Sequence, residues 1–228
     1  MVIALVVTTD GLPLAYEVLP GNTSDRTTLK GFLKKIEERY GKARRVCVMD
    51  RGIPTEEILV EMRQEGVHYI VGTPKGSLSK TEQKFLSLPW RSVHEGVEVK
   101  LLEQDAELLV LAKSTARASK ERAMRRRKLR ALFQGLLHLR AQQPERDRLL
   151  QRLGVLKHAA GRVASLVEIQ IPQEGQRVTR ETFCWRLKTE AFKVAEGRDG
   201  HYLLRSNITG EKPEVLWERY VQLTEIEA

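Results

Sequence analysis

The sequence has few residues that could form disulfides or a metal centre. Its two cysteines, Cys47 and Cys184, lie far apart in the 228-residue chain and form no CxxC pair. Neither a disulfide framework nor a zinc site is therefore expected, and a reducing compartment fits. The five histidines lack the short local spacing of metal ligands, so we interpret them as structural or surface groups.

Long apolar runs, internal repeats and low-complexity tracts are also missing. The opening run Val2–Val7 is apolar, but it is short, no basic residue precedes it, and a polar turn follows at once. It predicts a strand rather than a signal peptide or a membrane span. With 41% hydrophobic residues, the chain is long enough to bury one sizeable core with an inserted subdomain.

What the sequence has in excess is positive charge in one segment. The chain holds 39 lysines and arginines against 30 acidic residues, a net charge of +9. Residues 113–162 alone hold 15 basic and 3 acidic residues, so this segment carries +12 and the rest of the chain −3. Such an excess favours a polyanionic partner, nucleic acid first and an anionic membrane surface second.

The basic segment is predicted to be a helical hairpin. The run Arg125-Arg126-Arg127-Lys128 precedes leucines at helical spacing, and Gln143-Pro144 breaks the pattern. Two interpretations are open: a solvated face on a long helix pair, or an arm that contacts phosphates. Because the charge is local and uncompensated, the sequence favours the second interpretation.

The first part of the chain alternates strands and helices. Asp10-Gly11 separates two β-rich runs and predicts a hairpin turn. A helix is expected from Ser24 to about Tyr40, with Gly41 as its C-cap. A short apolar strand then ends at Asp50, and a helix over 54–65 and a strand over 68–72 complete a βαβ unit.

Asp50 is the first candidate for catalysis, because reactive groups in such sheets lie at the carboxyl ends of strands. The competing interpretation is that it caps the turn that follows. Later strand-like runs cover residues 97–102, 108–112, 163–171, 183–187 and 201–205, and a last helix begins near Pro213.

Glu227 is the second candidate. In the last helix, Leu216, Tyr220, Leu223 and Glu227 fall within about 60° of one another, a single stripe. An inward carboxylate needs a cation, hydrogen bonds or a shifted pKa, unless the chain end frays and solvates it. If Asp50 and Glu227 converge, their oxygens suit Mg²⁺, and two such ions about 4 Å apart would promote phosphodiester displacement.

Four segments together resemble a large class of bacterial DDE insertion-sequence transposases. These segments are Gly21–Asp25, Val48–Gly52, Asp199–Asn207 and Tyr220–Glu227. Enzymes of this class carry, on their final helix, a tyrosine, an arginine three residues on, a glutamate four further and a basic residue seven beyond that. By position, Asp50 matches the second catalytic aspartate, Tyr220 the signature tyrosine and Glu227 the catalytic glutamate.

The resemblance implies an α/β, RNase H-like mixed sheet with flanking helices, interrupted by a basic helical insertion. Residues 1–112 and 163–228 would form the two parts of the core, and 113–162 the insertion. It implies Mg²⁺, with Mn²⁺ as an alternative, for DNA cleavage and strand transfer. Tyr220 and the run Arg125–Lys128 would contact the DNA of transposon ends. A homodimer is left open, no membrane or small-molecule partner is expected, and the location would be the cytoplasm, at the nucleoid.

The chain also departs from the pattern of this class. Leu223 occupies the position of the signature arginine, and the terminal basic residue would lie past Ala228. The first catalytic aspartate of the class precedes the hairpin, and neither Asp10 nor Asp25 matches it. We therefore expect a chain truncated at both ends, catalytically incomplete and with little or no transposition activity. The alternatives are a non-enzymatic DNA-binding fragment, a remnant of a decayed gene, and an unrelated RNase H-like nuclease.

Overall fold

The computed structural model describes residues 2–7, 12–19, 31, 34–35, 37–39, 41, 46–49, 55–73, 78 and 81–226. The chain forms two compact units. The core unit comprises Met1–Lys113 and Tyr202–Ala228, and the inserted unit comprises Ser114–His201. The compact unit Ser114–His201 extends past residue 162, where the predicted insertion ends.

Within the described part of the chain, ten strands and five helices have defined bounds. The strands are β1 (Val2–Val7), β2 (Pro13–Leu19), β3 (Val46–Met49), β4 (His68–Gly72), β5 (Arg91–His94), β6 (Val97–Gln104), β7 (Glu107–Ser114), β8 (Val167–Gln170), β9 (Cys184–Leu187) and β10 (His201–Ser206). The helices are α1 (Glu56–Gln64), α2 (Thr115–Gln142), α3 (Arg146–Ala160), α4 (Thr189–Gly197) and α5 (Pro213–Ile226). Short 3₁₀ helices cover Glu82–Phe85 and Gly161–Leu166.

The core unit is built on a six-stranded sheet in the order β3-β4-β10-β7-β6-β5. The sheet is mixed, because β3 and β4 are parallel whereas β10 runs antiparallel to β4. β1 and β2 form a separate antiparallel pair, as predicted, while the turn at Asp10-Gly11 lies outside the described residues.

The βαβ unit predicted from sequence is confirmed. In the parallel pair, Val46 lies opposite His68 and Met49 opposite Val71. Between the strands, the Thr55 side chain accepts a hydrogen bond from the Ile58 amide and starts α1. The earlier predicted helix is confirmed where described: residues 31, 34–35 and 37–39 are helical, and the Gly41 amide donates to the Glu37 carbonyl at 2.9 Å.

The last helix, α5, packs against β3, β4 and β5. Leu216 is fully buried there, and Tyr220 packs against the same cluster, which includes Ile70 and Val99. The inward stripe is therefore confirmed for Leu216 and Tyr220. The side chain of Leu223 and all of Glu227 lie outside what the structure describes.

The predicted helical hairpin is confirmed in α2 and α3 of the inserted unit. Gln143 takes a left-handed conformation at φ 45° and ends α2 before Pro144. Leu136 and Leu149 are fully buried between the helices, and Phe183 completes the same hydrophobic cluster. Phe183 and Val167 of this cluster come from the part of the chain that follows the predicted insertion, which explains why the unit extends to His201.

One strand prediction is corrected within this unit. Residues 163–171 were expected to be a strand, but the first four residues of this run continue a 3₁₀ helix and only Val167–Gln170 form β8. In the part of the chain that the structure describes, no helix is both long and apolar enough to cross a membrane.

Candidate active site and nucleic-acid interface

The two predicted metal ligands, Asp50 and Glu227, lie outside the described residues. Their immediate neighbours are described. Asp50 follows Met49, the buried last residue of β3, and Glu227 follows Ile226, the last residue of α5. Val48 and Tyr220 pack against one hydrophobic cluster, so the strand before Asp50 and the helix before Glu227 share a core.

Tyr220 belongs to a group of aromatic side chains in the core unit. Its ring stacks on that of Tyr202, with ring centroids 6.1 Å apart. The Tyr202 hydroxyl accepts a hydrogen bond of 2.7 Å from the Trp217 indole, and Trp217 stacks on His94. Tyr220 is half-buried, so packing holds its ring in place. Only the exposed part of the side chain could contact DNA.

No group of three or more histidine, cysteine, aspartate or glutamate side chains gathers as a metal site among the described residues. The two buried carboxylates of that set, Glu107 and Asp199, are both bound by arginine. A carboxylate whose charge is already offset by guanidinium groups is a poor ligand for a cation. Neither of them is therefore a candidate metal ligand.

Glu107, at the start of β7, is the centre of a network that the sequence did not reveal. Arg63 donates to Oε1 at 2.7 Å, and Arg205 donates to Oε2 at 2.6 Å. The Tyr69 hydroxyl also donates to Oε1. Arg205 extends the network to Glu56 through two hydrogen bonds of 2.7 and 2.8 Å. The buried carboxylate thus has the paired, hydrogen-bonded environment that burial of a charge requires.

The network suppresses ionisation of Tyr69. Burial, together with the hydrogen bond to the Glu107 carboxylate, raises the pKa of the Tyr69 hydroxyl to about 12. A phenol with such a pKa remains a hydrogen-bond donor at neutral pH. We assign this cluster a structural role, tying α1, β4, β7 and β10 together.

In Tyr69→Phe we expect the tyrosine titration curve to lose one group that titrates near pH 12. Because the pKa of Tyr69 is about 12 in the folded protein and 10.0 in an ordinary tyrosine, Tyr69 favours the folded state fully below pH 10.0. That contribution is lost as the pH rises through about 12. Tyrosinate absorbance measured against pH should show the late step in the wild type and in Tyr16→Phe, whose ring is exposed. A Tyr69→Phe curve that retains the step would contradict the assignment.

Residues after Arg205 anchor β10 to β4. The Ser206 hydroxyl donates to the Tyr69 carbonyl at 2.8 Å. Asn207 accepts from the Tyr69 amide and donates to the Val67 carbonyl, both at 2.9 Å. The sequence did single out these residues, because Ser206 and Asn207 are the last two of the transposase-like segment 199–207. It did not indicate which hydrogen-bond partners they have.

Asp199, at the start of the same run, holds Arg125. The two side chains form a bidentate pair, in which one guanidinium nitrogen donates to Oδ1 at 2.7 Å and the other to Oδ2. Only 8% of Arg125 is exposed, and its guanidinium also lies over the Phe192 ring. The hydrogen-bonded Asp199 carboxylate raises the pKa of Arg125. Arg125 was predicted to contact DNA, and such a contact would require this buried pair to break.

The rest of the predicted basic run points in several directions. Consecutive helical residues are rotated by about 100°, so four adjacent side chains cannot share one face. Arg126 and Arg127 are exposed. Lys128 is half-buried, and its ammonium lies near Gly161, beside the C-terminal end of α3, where a positive charge is favourable.

The mixed sheet, its flanking helices and the basic inserted unit define an α/β protein of the RNase H-like class, and this confirms the predicted fold class. Residues 1–156 match the family model described as the transposase DDE domain, and the chain belongs to this family. No curated protein and no solved structure matches the chain.

Membership of this family implies a broad function in transposition-related DNA cleavage, with DNA as the partner. DDE transposases generally use divalent metal ions. The matched residues include Asp50 and α2, whereas Tyr220 and Glu227 lie beyond them.

Proposed function

We propose that the chain contributes to Mg²⁺-dependent DNA cleavage and strand transfer through two metal ligands, Asp50 and Glu227. The observation that carries this proposal is the packing of α5 against β3, which brings the helix before Glu227 and the strand before Asp50 into one core. Carboxylate oxygens are the ligands that Mg²⁺ prefers. The two described buried carboxylates, Glu107 and Asp199, are bound by arginines and do not compete for this role.

In this proposal the residues of the chain hold the cation and place the DNA. Mg²⁺ bound there would stabilise the attacking and leaving oxygens of an in-line phosphodiester displacement. Arg126, Arg127 and Lys128, with the exposed part of Tyr220, would contact the DNA backbone without reading its sequence. A DNA substrate would place the protein at the bacterial nucleoid, in the cytoplasm.

The two carboxylates alone should bind the cation weakly. The transposase class that the sequence resembles has two catalytic aspartates and a glutamate, and only Asp50 and Glu227 are proposed as ligands in this chain. We therefore propose that this chain cleaves DNA slowly or not at all by itself. Robust Mg²⁺-dependent strand transfer by the purified chain would contradict this part of the proposal.

Mn²⁺ binding tests the site independently of activity. Asp50→Asn and Glu227→Gln should each weaken Mn²⁺ binding, measured by calorimetry or paramagnetic resonance, by at least about tenfold, because even outer-shell changes cost this much. Asp147→Asn is the matched control, since Asp147 is an exposed acid on α3. If all three variants bind Mn²⁺ as the wild type does, the proposed site is wrong. A wild-type chain that binds duplex DNA but binds no Mn²⁺ would favour a non-enzymatic DNA-binding module.

A further inference from the structure

The inserted unit carries the whole positive excess of the protein. It contains 20 lysines and arginines against 9 acidic residues, so the core unit is slightly acidic. The basic residues concentrate in the first half of α2, and no acidic residue occurs between Arg122 and Pro144. The one acid in α2, Glu121, pairs with Arg117 at 3.3 Å and accepts a hydrogen bond from the Gly200 amide. Beyond Glu121, the described ion pairs of α2 are those that Arg122 and Arg125 form with Asp199.

Three of these residues share one exposed face, which we call the α2 track: Lys120, Arg127 and Arg130. Each is exposed, and none forms an ion pair with a described residue. At relative positions 0, 7 and 10 they fall within about 80° of one another and span about 15 Å along the helix axis. Ala123 and Gln134 lie on the same face and add no negative charge.

The three track residues destabilise α2 slightly by charge repulsion, and their side chains do not pack in the hydrophobic core. The opposite face of α2 buries Leu129, Leu132 and Leu136, so the fold does not need the track residues as packing groups. Arg127 and Arg130 are neighbours on the helix surface, where like charges repel by a few tenths of a kcal/mol. A helix that needed only solubility would be served by charges of both signs. A surface of one sign, in contrast, attracts a polyanion.

We infer that the α2 track binds the phosphate backbone of duplex DNA and does so without a metal ion. The inference rests on the proposed function in taking DNA as the polyanion. A duplex carries one negative charge per about 1.7 Å of its axis, so a 15 Å row of cations meets several phosphates. Arg127 and Arg130 can each bind a phosphate through two parallel N–H groups. The track differs from the sequence run Arg125–Lys128, because only Arg127 belongs to both.

The test compares two triple variants that lose the same charge. The track variant is Lys120→Gln, Arg127→Gln, Arg130→Gln. The matched control is Arg177→Gln, Arg180→Gln, Lys188→Gln, which changes three exposed residues of the same unit. Affinity for duplex DNA is measured over a range of salt concentrations in the presence of a chelator. Each lost phosphate contact should make the slope of log K against log salt less negative by about 0.9, so the track variant should lose nearly 3.

The control variant should keep the wild-type slope, and both variants should melt as the wild type does. Equal loss of slope in the two variants would overturn the inference, because net charge alone would then explain binding. An unchanged slope in the track variant would overturn it too, as would track-dependent binding to anionic lipid vesicles but not to duplex DNA. Asp50→Asn should bind duplex DNA normally under the chelator, so failure of the metal site and failure of the track are separable results.

Discussion

Replacing Asp199 with alanine is expected to lower the free energy of unfolding by about 3–5 kcal/mol, because removing one partner of a buried ion pair leaves the other charge uncompensated. Arg125 is buried and bonded to both oxygens of Asp199, and Arg122 approaches the same carboxylate at 3.5 Å. Without the Asp199 carboxylate, Arg122 and Arg125 would face each other with no anion between them. Denaturant unfolding followed by circular dichroism would measure the change in the free energy of unfolding.

Glu168→Ala is the control for this experiment. Arg186 donates one hydrogen bond of 2.7 Å to Glu168, as short as the Arg125 bond to Asp199 Oδ1, but both side chains are largely exposed. Exposed ion pairs contribute little to stability, so this variant should unfold almost as the wild type does. If Asp199→Ala and Glu168→Ala lowered the free energy of unfolding by similar amounts, burial of the Arg125–Asp199 pair would not explain its contribution to stability.

Gly200→Ala is expected to destabilise the protein by about 2–5 kcal/mol, from strain and overpacking together. Gly200 has φ +76°, a conformation that favours glycine, and its Cα faces the first turn of α2. An added Cβ would overlap the Ser114 carbonyl oxygen and lie 2.9 Å from the Ala118 Cβ and 3.0 Å from its amide nitrogen. These atoms belong to backbone and to a short side chain, which cannot move aside easily.

Gly175→Ala separates the two causes of that loss. Gly175 has nearly the same conformation, φ +78°, but no atom lies within 4 Å of the position of an added Cβ. It should therefore show the conformational strain alone, about 1–2 kcal/mol. Thermal or denaturant unfolding of both variants gives the comparison. Equal losses at the two positions would mean that the close approach at Gly200 relaxes without cost.

The elements that the sequence predicted well are those specified by local patterns. The apolar periodicity of α5, the left-handed glycine Gly41, and the strand–helix–strand order around α1 depend on neighbours within a few residues. The inward stripe on α5 was predicted through the same periodicity, and Leu216 and Tyr220 follow it. The placement of Asp50 and Glu227 stays a prediction.

What the sequence could not reveal depends on distant partners. Glu56 and Arg205 are separated by 149 residues, and Arg125 and Asp199 by 74. A run of four basic residues looks like one charged patch in the sequence. In the helix it divides into a buried ion-pair partner, Arg125, two exposed arginines, and Lys128 at the end of α3. Val167 and Phe183, which follow the predicted insertion, likewise join the leucine core only in three dimensions.

The Ser114 amide donates to the Gly200 carbonyl at 3.0 Å, so the chain enters and leaves the inserted unit at neighbouring points. A segment whose two ends are adjacent can be removed or exchanged, because a few residues can then join the ends at small entropic cost. In evolution, such an arrangement permits the 88-residue module Ser114–His201 to diverge, or to be replaced by one with a different surface, while the sheet keeps its own chain path. The same junction offers a natural cut site for grafting a foreign DNA-contacting module onto this core.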